Sequence, residues 1–374
     1  MAKRRTKTLK VGVAGMRRGV SFGNVLRSRK DCVVAAVCDP IPERAESAAK
    51  TLGAKPFTDY EKFCKSDIEA VAIVTPAPTH AECSIIAAEN GKHVLCEVPA
   101  VFSLDEARQV VRAVEKSGVK YMFAENMCYF AFIQTMHKMV KDGRLGELFY
   151  AEGEYIHDCR SLMEDRPDGL GGGEKGRPTW RASMPPIQYC THDLGPILMM
   201  MEDRVVSASG LDTGSHVLPK YNTIDMEVGI FKTAKGAVVK ILCGFSVERH
   251  PAFHFISLYG TGGSMETDRY NPSTNLKAYL LDIPHMHGMM NIPVSVSHMN
   301  APPEAKLGGH GTSEYFMIGD FVRCILDDTK PAIDVYEGMD YTLPGICAHL
   351  SARQGGQAVE VPDLRPKKKR KTRS

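Results

Sequence analysis

The sequence lacks any apolar run near the roughly 20 residues a membrane-spanning helix needs, so no membrane partner is expected for its 374 residues. Paired cysteines are missing too. The eleven that occur are odd in number, scattered and never spaced Cys-x-x-Cys, which argues against both a disulfide framework and a structural zinc site. Reduced thiols and a cytoplasmic address are the reading. The apolar stretch after the basic start runs only from Val11 to Gly15, too short for a secretory signal. There is no Gly-x-Ser-x-Gly, phosphate loop or His-Glu-x-x-His, so the common hydrolase and nucleotide-phosphate motifs give no lead.

Acids are absent from both ends. Residues 1–10 carry five Lys/Arg and 365–374 carry seven; removing these twelve from 47 leaves 35 basic against 44 acidic side chains, a body at −9 inside a chain at +3. No nucleic-acid partner is expected of such a body. The tail PKKKRKTRS, residues 366–374, reads either as a solvated flexible terminus or as a polyanion or nuclear-localisation patch. What remains is ordinary globular material, 43% apolar and 24% charged, long enough for two domains.

Residues 1–125 alternate short apolar runs with amphipathic stretches, the pattern of a parallel sheet covered by helices. LKVGVAG, CVVAAVCD, EAVAIVT, KHVLCE and VKYMFAEN are the strands, and their near-continuous Val/Ala/Ile content suits burial on both faces. Thr58-x-x-Glu61 and Ser103-x-x-Glu106 read as capping boxes, and Gly118 as a helix stop. In residues 126–364 the runs lengthen: ELFYAEGEYIHD, RVVSASG, DMEVGIFKT, GAVVKILCGFS, FHFISLYG and SMETD are joined mostly by short turns, as in an antiparallel meander. The expected fold is thus an α/β domain with a parallel sheet, then an α+β domain with an open, mainly antiparallel sheet. Arg160–Pro186 and Ile283–Gly311 do not fit that meander and read as long loops.

The first strand runs into GMRRGVSFGNVL, which places Gly12, Gly15 and Gly19 around a strand-to-helix turn. A dinucleotide fold needs glycine there because the backbone turns tightly and approaches a pyrophosphate at a helix N-terminus. Arg17 stands where this fingerprint wants its second glycine. Asp39 closes the second strand 20 residues after Gly19, where an acid accepts from ribose hydroxyls and repels a 2′-phosphate. NAD is therefore favoured over NADP, the alternative for Asp39 being a helix N-cap. Thr75, Pro76, His80, Glu97, Val98 and Asn126 follow the C-terminal ends of successive strands, the edge where such sheets bind ligands. His80 either meets the cofactor or caps its helix.

These residues resemble the Gfo/Idh/MocA oxidoreductases over nearly the whole chain, a Rossmann domain followed by a substrate domain. Within them the likeness is greatest to the NAD-dependent hydrolases of glycoside hydrolase family 109, an α-N-acetylgalactosaminidase-like branch. The marks are CEVPA (96–100), AENMCYF (124–130), EGEYIHD (152–158), Trp180-Arg181, YCTHDLGP (189–196), GHG (309–311) and IDVYEG (333–338). Ordinary sugar dehydrogenases of this kind have Glu-Lys-Pro, the lysine helping remove the hydroxyl proton; here Glu97-Val98-Pro99 offers no proton carrier. The resemblance implies sugar contacts at Tyr155, Arg181, Tyr189, Cys190, Thr191 and His192, with Tyr270 and His310 as further matches. Cys190 replaces the family proline, Thr312 replaces a second glycine, and Gly171-Gly172-Gly173 has no counterpart.

It also implies a route without the usual carboxylate pair: hydride leaves carbon 3 for NAD, the carbon-2 proton becomes removable, the glycosidic group is eliminated, water adds and the hydride returns. His192 is the first candidate for proton transfer because its ordinary pKa lies near neutrality. Tyr189 shares its face if the segment is helical. Asp193 is the candidate to orient the imidazole, the alternative for His192 being a helix cap. Arg181 suits a sugar hydroxyl, its donors forming a fixed fork, or else a surface salt bridge. His285, His287, His298 and His310 share one loop without a carboxylate or thiol set, so no metal is expected. Two other functions stay open: a net NAD-dependent sugar or inositol dehydrogenase, and an NAD-binding regulatory protein without catalysis. An open sheet face also predicts a homo-oligomer, a dimer or tetramer.

Overall fold

A computed structural model describes residues 8–165, 176–251, 254–272 and 274–366. Six parallel strands form the first sheet: β1 (Leu9–Ala14), β2 (Cys32–Cys38), β3 (Lys55–Phe57), β4 (Ala70–Ile73), β5 (His93–Cys96) and β6 (Tyr121–Phe123). Their order is β3-β2-β1-β4-β5-β6, a doubly wound arrangement whose switch point lies between β1 and β4. The central strands β1, β4 and β5 are buried on both faces, as their apolar runs require, whereas β3 at the edge is largely exposed. Around them lie α1 (Gly19–Ser28), α2 (Pro42–Leu52), α3 (Tyr60–Cys64), α4 (His80–Glu89) and α5 (Leu104–Ser117).

Ser103 and Glu106 form the expected capping box, and Gly118 ends α5 at φ +69°. Thr58 does not cap α3. The carboxylate of Asp59 accepts from the Lys62 amide instead, one residue further on, where its charge also faces the positive end of the helix.

After α6 (Ala131–Lys141) the chain builds the second sheet from β7 (Leu148–Ile156), β8 (Val205–Asp212), β9 (Met226–Thr233), β10 (Val238–Gly244), β11 (His254–Gly260), β12 (Gly263–Thr267), β13 (Asn275–Leu280), β14 (Met290–Pro293) and β15 (Val359–Glu360). The order is β14-β13-β12-β11-β7-β10-β9-β8-β15. Every pairing is antiparallel except that of β7 with β10. The segment 283–311, which reads as loop in sequence, contains β14 and a 3-10 turn at Pro303–Gly308.

Four more helices, α7 (Trp180–Ser183), α8 (Thr191–Met201), α9 (Ser313–Leu326) and α10 (Val335–Ala352), knit the two sheets together. α8 lies on β7 so closely that a side chain at Gly153 would meet the Cβ of Asp193 at 2.8 Å. α9 returns to the first domain: Met317, Ile318, Phe321 and Val322 pack with Leu9, Phe22 and Leu26 of β1 and α1. α10 is capped by an Asp334–Glu337 box and covers the inner face of β8 and β9. Among the described residues no helix is long and apolar enough to cross a membrane.

Candidate active site

Three adjoining cavities follow the C-terminal edge of the first sheet and the inner face of the second. The first, about 270 Å³, is walled by Gly15, Arg17, Asp39, Arg44, Thr75 and Pro76. The second, about 290 Å³, lies among His80, Glu97, Val98, Asn126, Tyr155, Tyr189 and His192. The third, about 270 Å³, opens beyond Asn126, Tyr155, His192 and His310, which it shares with the second. Arg18, Thr75, Trp180 and Arg181 border the first two together.

The dinucleotide end is built by the turn after β1. Gly15 adopts φ +91°, and a Cβ there would lie 2.4 Å from the Val74 carbonyl oxygen, so only glycine lets the turn pass this close to β4. Asp39 is buried and pins that turn: one carboxylate oxygen accepts from the Met16 amide at 2.9 Å, the other from Ile41 at 3.0 Å. It is not the cap of α2, a place held by Ile41. Each oxygen keeps a lone pair for a ribose hydroxyl.

His80 is 1% exposed, with Nδ1 2.8 Å from the Pro99 carbonyl and Nε2 2.9 Å from that of Thr75. Two carbonyls demand two donors, which only the imidazolium supplies. Burial opposes that charge, yet the Cys96 sulfur and the two carbonyls outweigh it and lift the pKa to about 9. His80 thus braces the loops after β4 and β5. Asn126, only 7% exposed, has an Oδ1 without a hydrogen-bond partner, and the cavity beside it is where a cofactor amide would find that acceptor. A cradle that excludes a Cβ, a buried ribose-type acid and an orphaned amide oxygen together fit a dinucleotide.

Arg18 ties this end to the second domain. Its guanidinium donates to the Gly308 carbonyl at 3.0 Å and to Glu314 at 2.5 Å, lies 2.8 Å from His310 Nδ1, and stands 3.5 Å from Glu97. His310 also pairs with Glu314. Burial would raise the Glu314 carboxyl, but His310 and Arg18 hold it at about 2.

At the chemical end, Tyr189 closes a 3-10 turn (Pro186–Tyr189) and His192 lies in the first turn of α8. Their ring centroids are 5.4 Å apart, and Tyr155 of β7 lies 5.4 Å from His192. His192 Nδ1 is 2.6 Å from Oε1 of Glu125, a fully buried carboxylate at the end of β6. Burial pushes the His192 imidazole down, and Glu125 more than restores it, leaving the pKa above its ordinary value. Tyr189 is raised to about 12 by burial, against the pull of the Arg181 guanidinium. Arg181 itself lies over Trp180, 4.5 Å from the ring centroid, and 5.7 Å from that of Tyr189.

Asp193 does not orient His192, contrary to expectation. Neighbouring helical side chains diverge, and Asp193 turns to His254 at 3.2 Å, which stacks on Tyr155 at 4.1 Å. Burial holds Asp193 well above the usual carboxylate range and His254 well below the usual histidine range. The orienting acid, Glu125, has the signal of standing beside Asn126 in AENMCYF, but only the fold brings it to His192. Arg18 likewise looks no different from Arg17 until residues 308–314 close over it.

Other expected residues lie elsewhere. Gly12 sits within β1 against Phe63, and Gly19 opens α1 against Met16 and Val13; both serve close packing. The Cys190 sulfur lies in the core, 3.0 Å from where a Cβ on Gly345 of α10 would stand. Thr191 is buried at the start of α8 without bordering the cavities, and Tyr270 is 76% exposed outside them. Gly171-Gly172-Gly173 and the basic tail beyond residue 366 lie outside the described residues. All eleven cysteines are buried and unpaired. Among the described residues no three His, Cys, Asp or Glu side chains are grouped to hold a metal ion.

Comparison with known proteins agrees with this geometry. Residues 9–125 match the oxidoreductase family with an NAD-binding Rossmann fold, and residues 295–370 match the glycosyl hydrolase 109 C-terminal domain. A glycosyl hydrolase family 109 protein of Streptomyces filamentosus is 32% identical over 99% of this chain and 80% of its own. The chain belongs to glycosyl hydrolase family 109. An α-N-acetylgalactosaminidase of Shewanella oneidensis is 25% identical to this family 109 chain, over 96% of it and 85% of the relative. In fold, levoglucosan dehydrogenase in complex with NADH and levoglucosan superposes with a TM-score of 0.80 at 20% identity, covering 95% of this chain and all of the other. This family 109 chain is an NAD-dependent enzyme, with its dinucleotide domain at the N-terminus.

Proposed function

We propose that the chain hydrolyses glycosides without net oxidation, with Tyr189 and His192 as its proton-transfer residues. The observation that carries this is one cavity in which Glu97-Val98, a strand end without lysine, faces Tyr189 and the Glu125–His192 pair. NAD, when bound, accepts a hydride from carbon 3 of the sugar and later returns it, and in between the carbon-2 proton is acidic enough to remove.

The residues divide the remaining work. Arg181, fixed over Trp180, holds a sugar hydroxyl. Tyr189, a protonated phenol at neutral pH, hydrogen-bonds the carbon-3 oxygen and relays its proton. His192 takes the carbon-2 proton on its outward nitrogen, and Glu125 stabilises the imidazolium that forms. Tyr155 and His310 complete the walls. Asp39, Thr75, Pro76, Arg17 and Arg18 hold the adenosine and pyrophosphate half, and Asn126 the nicotinamide half.

The relative from Shewanella makes an α-N-acetylgalactosaminide the first substrate to offer. Cleavage of its 4-nitrophenyl glycoside should require NAD, release no steady NADH, and place deuterium at carbon 2 of the product when run in heavy water. Turnover by protein stripped of all dinucleotide rejects the reading; accumulating NADH with a free sugar replaces it with a net dehydrogenase. The solvent-open face of β9 in the second sheet is proposed as the contact of a homo-oligomer, and the thiols, none of them in a disulfide, suit a reducing, cytoplasmic setting.

A further inference from the structure

The third cavity is unlike the other two in chemistry. Past the rim of Asn126, Tyr155, His192 and His310, most of its walls are apolar, Met127, Phe130, Phe132, Pro251, Pro272 and Val296, with His157, His254 and Thr267 as the polar members among the described residues. Phe130 and Phe132 lie with ring centroids 5.6 Å apart. Of the polar members, the Thr267 hydroxyl already accepts from the Ile256 amide at 3.0 Å, and His254 Nδ1 is engaged by Asp193 at 3.2 Å. A second sugar placed here would set those of its hydroxyls that meet the Met, Phe, Pro and Val walls against carbon, at a cost of about 1–3 kcal/mol for each one unpaired. An apolar ring against the same walls loses no hydrogen bond of its own.

Size points the same way. An apolar cavity of about 150 Å³ suffices for benzene, so about 270 Å³ takes one ring with substituents or two fused rings. Position decides the role. The cavity adjoins the second at His192 and Tyr155 and shares no wall with the first, where Gly15 and Asp39 lie, so a group reaching it extends from the sugar on the side away from the adenosine half. We propose that this chamber is the aglycone site, and that the natural substrates are glycosides of apolar, ring-bearing alcohols or phenols rather than oligosaccharides. This rests on the glycosidase reading of the neighbouring cavity.

The test compares benzyl with methyl glycosides of one sugar on the NAD-loaded full-length protein, since the two leaving alcohols are of similar acidity and differ mainly in what they bury. The benzyl glycoside should show a KM lower by about tenfold or more with little change in kcat. Val296→Asp, which charges the chamber wall without touching Tyr189 or His192, should erase most of that difference while leaving NAD affinity unchanged. Free 4-methylumbelliferone should bind the wild-type holoenzyme saturably at one site, and more weakly in V296D.

Equal KM values for the two glycosides, or no saturable binding of the free coumarin, overturn the aglycone site while leaving the hydrolytic reading intact. Saturable coumarin binding by a holoenzyme that cleaves neither glycoside instead overturns the hydrolytic reading, and with it the role assigned to the chamber.

Discussion

His192 illustrates what one neighbour does to a residue. With its pKa held above the ordinary histidine value by Glu125, the neutral imidazole that the proposed reaction needs as a base predominates only at pH above that raised value. The acid limb of kcat/KM should therefore lie above pH 6.5 and drop away below it. Glu125→Gln keeps the shape and removes the charge. Its acid limb should move to lower pH, and its plateau should fall about 10²-fold as base strength and ring orientation are lost. A pH profile unchanged in E125Q would remove Glu125 from the proton path. His80 gives the corresponding stability effect. Its folded pKa of about 9 exceeds the unfolded value near 6.5, so the stabilisation is complete below pH 6.5 and is lost as pH rises through 9, about 3 kcal/mol in all. Denaturant melts of wild type should show this decline, and H80Q should be less stable at pH 6 but lack the slope.

Among the elements, α9 joins distant parts of the chain. It follows nearly all of the second sheet in sequence, yet buries Phe321 against β1 and α1 and carries Glu314 to Arg18. Phe321→Ala should cost about 3–5 kcal/mol of stability and weaken NAD binding, because the turn that cradles the dinucleotide is held from behind by this helix. Urea unfolding combined with NAD titration checks it; unaltered affinity in a destabilised protein would separate α9 from the cofactor site. The strands of both sheets were mostly legible from apolar runs and alternation. β3, β13, β14 and β15 were not, being short, edge-lying or broken by prolines and polar residues, so that pairing partners rather than their own pattern define them.

Over the whole molecule, the second sheet carries α10 on one face at β8 and β9, and among the described residues the opposite face of β9 is open to solvent. Glu227, Gly229 and Phe231 of β9 are buried on the side of α10, whereas Val228 and Ile230 point outward, Ile230 being 43% exposed. Beside them on β7, β10 and the stretch after β12 stand the Lys240–Glu152 and Arg269–Glu154 pairs. An apolar strip edged by charges on a broad open sheet suits a symmetric contact with a second copy. Sedimentation should show a dimer or a higher even oligomer, and Ile230→Lys should reduce it toward monomer while the melting temperature of the subunit changes little. A wild-type chain that sediments as a monomer would refute this.

The sequence by itself determined the dinucleotide end. The turn at Gly15, the acid at Asp39 and the residues at the strand ends are positioned by local geometry, each a few residues from a strand that its own apolar pattern reveals. The family marks carried Tyr155, Arg181, Tyr189 and His192 to the second domain. What only the tertiary structure decided are the pairings across the chain: Glu125 with His192, Asp193 with His254, Arg18 with Glu314, and the apolar chamber beyond them. Those contacts join residues 61 to 296 positions apart, and no local preference encodes them. They exist because α8 and α9 are pressed onto sheets formed elsewhere, and burial there sets the charge each side chain can hold.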